Sequence, residues 1–317
     1  MRHRNLLKNI IHQILNNFIR VSRMYKSVMQ YFSAFSLLMF TSVSFSQGSY
    51  QVELSASYLK EETNTIDDKF EANLLTAEIF FDKVETASHP FAEAAYLEHT
   101  SSLLVRYVDS ELATPSYDID YASAGLEANY VVPDSLYILK ALYSSLEADY
   151  KGGVNGSIDG DALGFGAGIY LTDNSSIVLS YLQLDYDFEI ISFLASSNKA
   201  TDIDIEYKRI QALEDGRAYG FIASLMSSEF ETATTSEINT IIDVAFDYYF
   251  NRSISVGAEI EINSGDDKAE EGNAVGINAS MYLTPVFSVY ASLNQFSADN
   301  VDGDDNDKVL LGASARF

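Results

Sequence analysis

The chain has 317 residues, no Cys and a formal net charge of −26, which excludes disulfides, thiolate metal sites and a nucleic-acid-binding surface. Its 21 Tyr and 19 Phe against only 4 Pro suit long paired strands, and no apolar run reaches the ~20 residues of a spanning helix. Residues 1–46 contain six of the 20 basic residues and no acidic one. The acidic surplus therefore lies in the remainder, whose surface favours cations.

The N-terminal segment is typical of an exported protein. Met24–Ser46 begins with Lys26, has an apolar centre at Tyr31–Phe45 and ends on a small-x-small site before Gln47. These features predict a secretory signal that is cleaved from the mature protein. Two origins of residues 1–23 stay open, namely a true start of translation at Met24 or an unusually long charged region on the signal.

From Tyr50 onward, apolar and polar residues alternate in one segment after another. In Ser253–Asn263, for example, Ile, Val and Ala residues alternate with Ser, Gly and Glu. A period of two residues predicts strands with one face in an apolar medium. The predicted strands are Tyr50–Lys60, Lys69–Asp82, Phe91 to beyond Val105, Ser116–Val132, Leu136–Lys151, Gly160–Leu171, Ser176–Glu189, Thr201–Leu213, Ala218–Phe230, Glu237–Phe250, Ser253–Asn263, Asn273–Leu283, Val286–Ser297 and Asp307–Phe317.

The connections between these strands alternate in length. Pro133–Ser135 and Thr284-Pro285 are tight turns, whereas Ile190–Ala200 and Ala298–Asn306 are longer loops. Short turns at one end and longer loops at the other are typical of outer-membrane barrels, whose short turns face the periplasm. The prediction is an all-β fold, a transmembrane antiparallel barrel of about 14 strands with 12 or 16 as alternatives. A soluble β-sandwich fits less well because its strands average about 5–6 residues.

The final stretch, Asp307–Phe317, alternates in the same way and ends on an aromatic residue. It resembles the closing strand of Gram-negative outer-membrane barrels. With the alternating pattern of residues 47–317, it makes the chain similar to Gram-negative outer-membrane porins, the general bacterial porin family. The resemblance implies a single barrel domain at 47–317 after an extension and signal at 1–46. It also implies location in the cell outer membrane, and passive diffusion of small hydrophilic solutes rather than enzymatic activity.

The resemblance further implies lipid, lipopolysaccharide and the barrel-assembly machinery as partners, with Phe317 as the assembly signal and no required cofactor. Whether the barrel is a monomer or a trimer stays open. The porins of this family usually fold a long acidic third loop against a basic wall cluster. This sequence departs from that pattern, because its predicted loops are short and its strands carry few basic residues.

The polar face of the predicted strands supplies candidates for the pore lining. Carboxylates in a confined aqueous path raise the local cation concentration, so we expect a cation-preferring pore. The alternative is a non-transporting structural or adhesin-like barrel with a filled interior. The acidic candidates are Glu53, Glu78, Glu127, Glu147, Asp185, Asp187, Asp202, Asp204, Glu206, Asp243, Asp247, Glu259 and Glu261, and the basic ones are Lys208, Lys308 and Arg316.

Aromatic residues next to the short turns predict an interfacial girdle. These residues are Tyr130, Tyr170, Tyr248, Tyr249, Phe250, Tyr282, Phe287 and Phe317. Of the His residues after the signal, His89 falls in a predicted periplasmic turn and His99 near the predicted extracellular rim. Neither predicts a catalytic site.

The densest acidic run of the chain lies just before the last strand. Its oxygens suit loosely bound Ca²⁺ or Mg²⁺ at the extracellular rim, although it lacks the spacing and closing Glu of an EF-hand. A solvated loop is the simpler interpretation. The weak metal candidates are Asp302, Asp304, Asp305 and Asp307.

Overall fold

The computed structural model describes residues 48–63, 68–152, 156–190, 194–232, 235–265, 271–298 and 305–317. The strands are β1 Ser49–Thr63, β2 Lys69–Glu85, β3 Ser102–Ala113, β4 Tyr117–Val131, β5 Tyr137–Gly152, β6 Gly156–Thr172, β7 Ser175–Ile190, β8 Leu194–Ala212, β9 Ala218–Glu231, β10 Ser236–Asn251, β11 Ile254–Gly265, β12 Gly272–Tyr282, β13 Phe287–Ala298 and β14 Asn306–Arg316. Between β2 and β3 lie a 3₁₀ turn, Phe91–Glu93, and the one-turn helix α1, Ala94–Leu97. A second 3₁₀ turn, Glu214–Gly216, connects β8 to β9.

The strands form one closed antiparallel barrel, in which every strand pairs with its neighbours in sequence and β14 pairs with β1. In the closing pair, Glu53 lies opposite Arg316. The backbone of Phe317 continues this pairing through hydrogen bonds with Gln51 and Val52. Closure leaves no strand edge unpaired, which is the condition for crossing lipid with strands. The predicted barrel of 14 strands is confirmed. Among the described residues, no helix is long and apolar enough to span a membrane.

Residues that lie directly opposite each other in neighbouring strands point to the same face of the sheet. Pairing therefore places one set of residues from β1 to β9 on a single inner face: Glu53, Glu78, Leu104, Glu127, Leu142, Gly164, Leu182, Asp202 and Ser228. The other face carries large exposed apolar side chains, among them Phe81, Phe165 and Ile277. This outer face is the one that contacts lipid.

On β2 to β7 the apolar residues lie on the outer face near the periplasm and on the inner face near the extracellular end. In the periplasmic half of β5, the apolar residues Leu139 and Tyr143 are exposed on the outer face. In its extracellular half the outer face carries Glu147, whereas Leu146 and Tyr150 turn inward and are buried. The buried inward residues of this upper region, here called the apolar cluster, are Leu59, Phe70, Ala72, Leu112, Ile119, Tyr121, Leu146, Ala148, Tyr150, Ile158, Tyr186, Phe188 and Phe230.

The wall of the barrel differs in height from one side to the other. β8 has 19 residues, whereas β12 and β14 have 11 each. With a rise of about 3.3 Å per residue and a tilt of about 40°, these strands reach roughly 48 Å and roughly 28 Å along the barrel axis. The short side matches a hydrocarbon core of about 30 Å, and the tall side extends beyond it.

The predicted start of the third strand at Phe91 is wrong. Phe91–Glu93 and Ala94–Leu97 are helical, and β3 begins only at Ser102. Pro90 has no backbone N–H to offer a sheet ladder, and the Ala-Ala-Tyr-Leu sequence after Glu93 accepts a helical turn. The connection from β2 to β3 is therefore the long exception among the short periplasmic turns.

Candidate functional site

The connection between β2 and β3, residues 86–101, crosses the periplasmic opening of the barrel, and we call it the plug segment. The Phe91 backbone N–H donates to the carbonyl of Arg252 (2.9 Å), in the turn between β10 and β11. The Tyr96 hydroxyl donates to Ser176 Oγ (3.1 Å), on β7. Because these partners lie on the wall opposite β2 and β3, the segment spans the opening from one side to the other.

Aromatic residues of the wall hold the plug segment in place. The Tyr170 ring stacks on the His99 ring with centroids 3.7 Å apart, and Tyr282 packs edge-on against Phe91 with centroids 5.4 Å apart. Tyr170 and Tyr282 are buried, as is Tyr249, so these three do not join a lipid-facing girdle. His99 belongs to the periplasmic opening and not to the predicted extracellular rim.

A buried ion pair anchors the centre of the plug segment. Glu93 Oε2 lies 2.7 Å from Lys208 Nζ of β8, and the Tyr249 hydroxyl donates to Glu93 Oε1 (2.7 Å). The side chains of Glu93 and Lys208 are only 12% and 20% exposed. Burial by itself raises the pKa of Glu93, but the Lys208 ammonium, the Tyr249 hydroxyl and Arg316 outweigh it and hold that pKa below its ordinary value.

This lowered pKa gives the plug segment a defined pH dependence. Above the ordinary Glu pKa of about 4.3 the ion pair contributes fully to holding the segment. As the pH falls through the lowered pKa of Glu93, protonation removes that contribution. We therefore expect conductance in planar bilayers to rise when the pH is lowered beyond the range in which an ordinary Glu is ionised. The Glu93→Gln variant should be open already at pH 7, and identical titration curves for the two proteins would contradict the assignment.

Arg316, the last residue of β14, connects the closing strand to the plug segment. Its Nε donates to Glu53 Oε2 (2.6 Å), and its Nη1 donates to the carbonyl of Phe91 (2.6 Å). The guanidinium carbon lies 4.4 Å from the centre of the Tyr50 ring and 4.6 Å from that of Tyr282. The side chain is 4% exposed, so β1, β14 and the plug segment share one buried cation.

Most of the predicted pore-lining residues do lie on the inner face. Strand pairing and parity relate each of them to the ring of inner residues described above. The inner face carries Glu53, Glu78, Glu127, Asp202, Asp204, Glu206, Asp243, Asp247, Glu259, Glu261, Lys208, Lys308 and Arg316.

For Glu147, Asp185 and Asp187 the pore-lining prediction is wrong, because their side chains lie on the outer face. Glu147 pairs with Asp159, and Asp187 pairs with the same residue from the other side. Their neighbours in sequence turn inward, among them Tyr186, which belongs to the apolar cluster. The reason is physical: in this upper region the apolar residues pack inside the barrel and leave the carboxylates outside.

Two basic residues of the lumen were missed from the sequence. Arg106 Nη2 lies 3.9 Å from Glu127 Oε2, and Lys140 of β5 occupies the same inner face. Both could have been found from parity, since Arg106 is an even-numbered neighbour of apolar Val105 and Tyr107. Glu93 was missed because the residues from Phe91 onward were predicted as part of the third strand.

The two sides of the lumen differ in polarity. The apolar cluster covers the upper wall from β1 to β9, whereas the inner faces of β10 and β11 carry Asp243, Asp247, Glu259 and Glu261. Beside them, the Asn294 amide of β13 donates to the Glu259 carboxylate. The inner faces of β10 to β13 are therefore more polar than the upper inner wall of β1 to β9.

The structure gives no support to the predicted metal site as far as it can be followed. Asp302 and Asp304 lie outside the described residues. Asp305 accepts a hydrogen bond from the Ala298 backbone N–H (3.2 Å), and Asp307 belongs to β14. In the described part of the chain, no group of three or more His, Asp or Glu residues is arranged to hold a metal ion.

The closed barrel, its apolar outer belt and its charged lumen define an outer-membrane β-barrel protein. The chain belongs to the family described as "Putative general bacterial porin", whose model matches residues 26–317. The outer membrane protein Omp33 of Acinetobacter baumannii is 19% identical, with a TM-score of 0.57, and the match covers 86% of this chain and all of that one. A Pseudomonas aeruginosa FadL homologue is 9% identical, with a TM-score of 0.52 and coverage of 86% and 91%. These likenesses concern the fold. No curated protein matches the sequence.

Proposed function

We propose that this protein is a porin for passive diffusion of small hydrophilic solutes and ions, with a preference for cations. The family and the fold support a channel. The observation that carries the cation preference is the row of carboxylates at Asp243, Asp247, Glu259 and Glu261 on the polar wall. Fixed negative charges in a narrow aqueous path attract cations and exclude anions. The plug segment and the apolar cluster narrow the path, so large solutes are excluded.

The test is the reversal potential of purified protein in a planar bilayer under a KCl gradient. We expect a potential of the sign for K⁺ over Cl⁻ that declines with salt, because the Debye length falls from about 10 Å at 0.1 M to about 3 Å at 1 M. The variant D243N/D247N/E259Q/E261Q should lose most of this potential. The matched control D185N/D187N, whose carboxylates lie on the outer face, should keep it.

An anion preference at low salt would overturn the proposal, as would loss of selectivity in the control alone. The second candidate function is a non-transporting structural or adhesin-like barrel. The buried plug segment and the apolar cluster are the observations that favour it. The absence of channels from protein that shows heat-modifiable mobility on gels would support this candidate instead.

The remaining expectations from the sequence belong to the same proposal. The signal at 1–46 directs export, and the barrel-assembly machinery reads the terminal Phe317. Phe317 supports this by extending β14 against β1 through its backbone. Deleting Phe317 should reduce the amount of heat-modifiable protein in the outer membrane, whereas Phe317→Tyr should preserve it.

A further inference from the structure

The glycines of β6 open a recess in the inner wall of the barrel. Gly164 and Gly166 add no side chains to the inner face, and a cavity of about 250 Å³ lies against Gly164. At about 30 Å³ per water, the cavity has room for about eight water molecules. It is smaller than a drug-sized pocket and fits a solute of a few heavy atoms. The inner residues on either side of the glycines are Lys140, Leu142, Ser180 and Leu182.

Opposite charges flank this recess. Lys140 lies opposite Gly166, Gly166 opposite Ser180, and Ser180 opposite Asp204, so the four form one row across β5 to β8. Lys140 and Asp204 are thus three strand spacings apart, roughly 14 Å around the wall. Only a glycine and a serine lie between them. Asp202 adds a second carboxylate one inner position along β8, and it also lines the cavity.

Apolar side chains bound the recess above and below. Leu142 and Leu182 occupy the next inner row toward the extracellular side. Toward the periplasm, Ile138 and Val178 pack with Tyr96 of the plug segment. The charged groups are therefore confined to the two flanks. On the periplasmic side, the Tyr96 hydroxyl donates to Ser176 and the Tyr170 hydroxyl donates to the Tyr96 carbonyl.

A hydrogen bond fixes the acidic flank. The Ser228 hydroxyl of β9 donates to Asp202 Oδ1 at 2.5 Å. On the other flank Glu127 also lines the cavity, but Arg106 lies 3.9 Å from its carboxylate. Asp202 and Asp204 of β8 thus line one side of the recess, and Asp202 is held by the Ser228 hydroxyl. Lys140 of β5 is the cation that lines the recess from the other side.

From this arrangement we infer that the recess binds small zwitterions, with the solute's carboxylate at Lys140 and its ammonium at Asp202 and Asp204. The inference rests on the proposed channel function and names its solute class. A monoanion in the recess meets the carboxylates of β8, and a monocation meets Lys140. A solute with both charges a few atoms apart satisfies both flanks, and short α-amino acids have this chemistry.

The test compares two isomers of equal size. L-Alanine is a zwitterion and L-lactamide is its uncharged isomer, so neither builds up a membrane potential on entry. Their rates are measured by osmotic swelling of liposomes containing the purified protein, corrected for protein-free liposomes. We expect alanine to enter at least about threefold faster than lactamide and its rate to saturate with concentration, because a site in the path holds it.

Variants assign the effect to the recess. Lys140→Met and D202N/D204N should each bring the alanine-to-lactamide ratio to about one, since each removes the partner of one solute charge. The matched controls are Lys199→Met and Asp185→Asn, which lie opposite each other on the outer face and should keep the ratio of the unmodified protein. Heat-modifiable gel mobility checks the folding of each variant, and Lys140→Gln serves as a second variant should Lys140→Met misfold.

Each outcome decides one question. Equal rates for the two isomers in the unmodified protein overturn the zwitterion site but leave the channel standing. A ratio that falls in D202N/D204N and not in Lys140→Met means a site for ammonium ions only, which also overturns it. Entry of neither isomer through well-folded protein overturns the proposed channel function itself. Loss of the ratio in all lumen variants and in neither outer-face control supports the inference.

Discussion

Replacement of Phe91–Leu97 by a Gly/Ser linker of equal length is expected to raise the single-channel conductance about threefold or more, because it removes the constriction at the periplasmic opening. The linker cannot form the Glu93–Lys208 ion pair, the Tyr249 hydrogen bond or the Phe91–Tyr282 contact. The strands that form the barrel are left intact. Planar-bilayer recording at neutral pH in 1 M KCl is the measurement, since high salt minimises the influence of lumen charges.

The control replaces a part of the chain that does not enter the lumen. Substituting Gly/Ser residues for the 3₁₀ turn Glu214–Gly216, between β8 and β9, alters a periplasmic turn of the ordinary short kind. This control should leave the conductance unchanged. An unchanged conductance in the Phe91–Leu97 replacement itself would show that the plug segment does not limit the path, and would place the narrowest point at the apolar cluster.

Arg316→Met is expected to lower the free energy of unfolding by about 3 kcal/mol, the cost typical of breaking a buried ion pair. The substitution leaves the Glu53 carboxylate without its cation and removes the hydrogen bond to the Phe91 carbonyl. It also removes the cation that lies over the Tyr50 ring. Urea unfolding in detergent, followed by the loss of heat-modifiable mobility, measures the change.

A double variant separates the charge effect from lost packing. In E53Q/R316M neither charge remains, so the double variant should be more stable than Arg316→Met alone. Arg217→Met is the matched control, because Arg217 lies in an exposed turn 3.7 Å from Asp215 and such pairs are worth under about 1 kcal/mol. Equal stability of Arg316→Met and the unmodified protein would rule out a structural role for this buried cation.

The number of strands and the inner face of most strands follow from the sequence, because lipid and water impose a period of two over long segments. β11 is the clear case, with Ile260 and Ile262 outside and Glu259 and Glu261 inside. The assignment of apolar residues to the outer face fails only where lipid does not contact that face. In the upper part of the tall wall no lipid contacts the outer face, so apolar residues gain more by packing with one another inside the barrel.

In β7, the apolar residues change from the outer face to the inner face within a single strand. Its lower apolar residues, such as Leu179, are exposed, and its upper ones, such as Phe188, are buried. In the sequence of β7, the apolar residues are mostly odd-numbered up to Tyr181 and even-numbered from Leu182 onward. This change becomes apparent only when the whole strand is considered. The plug segment was out of reach for a different reason. Its position depends on contacts with Lys208, Tyr249 and Arg316, which are distant in sequence and carry no local pattern.

The unequal height of the barrel wall determines which strands are exposed outside the membrane. β8 and its neighbours extend beyond the outer leaflet, whereas β12 to β14 end close to the level of the lipid headgroups. On the outer face of these tall strands, Asp161 lies opposite Asp185, so this part of the wall presents carboxylates to the outside of the cell. The polar inner faces of β11 to β13 belong to the shorter side of the wall. Within the described barrel, the outer face of the tall strands is therefore the part of the wall most accessible from outside the cell.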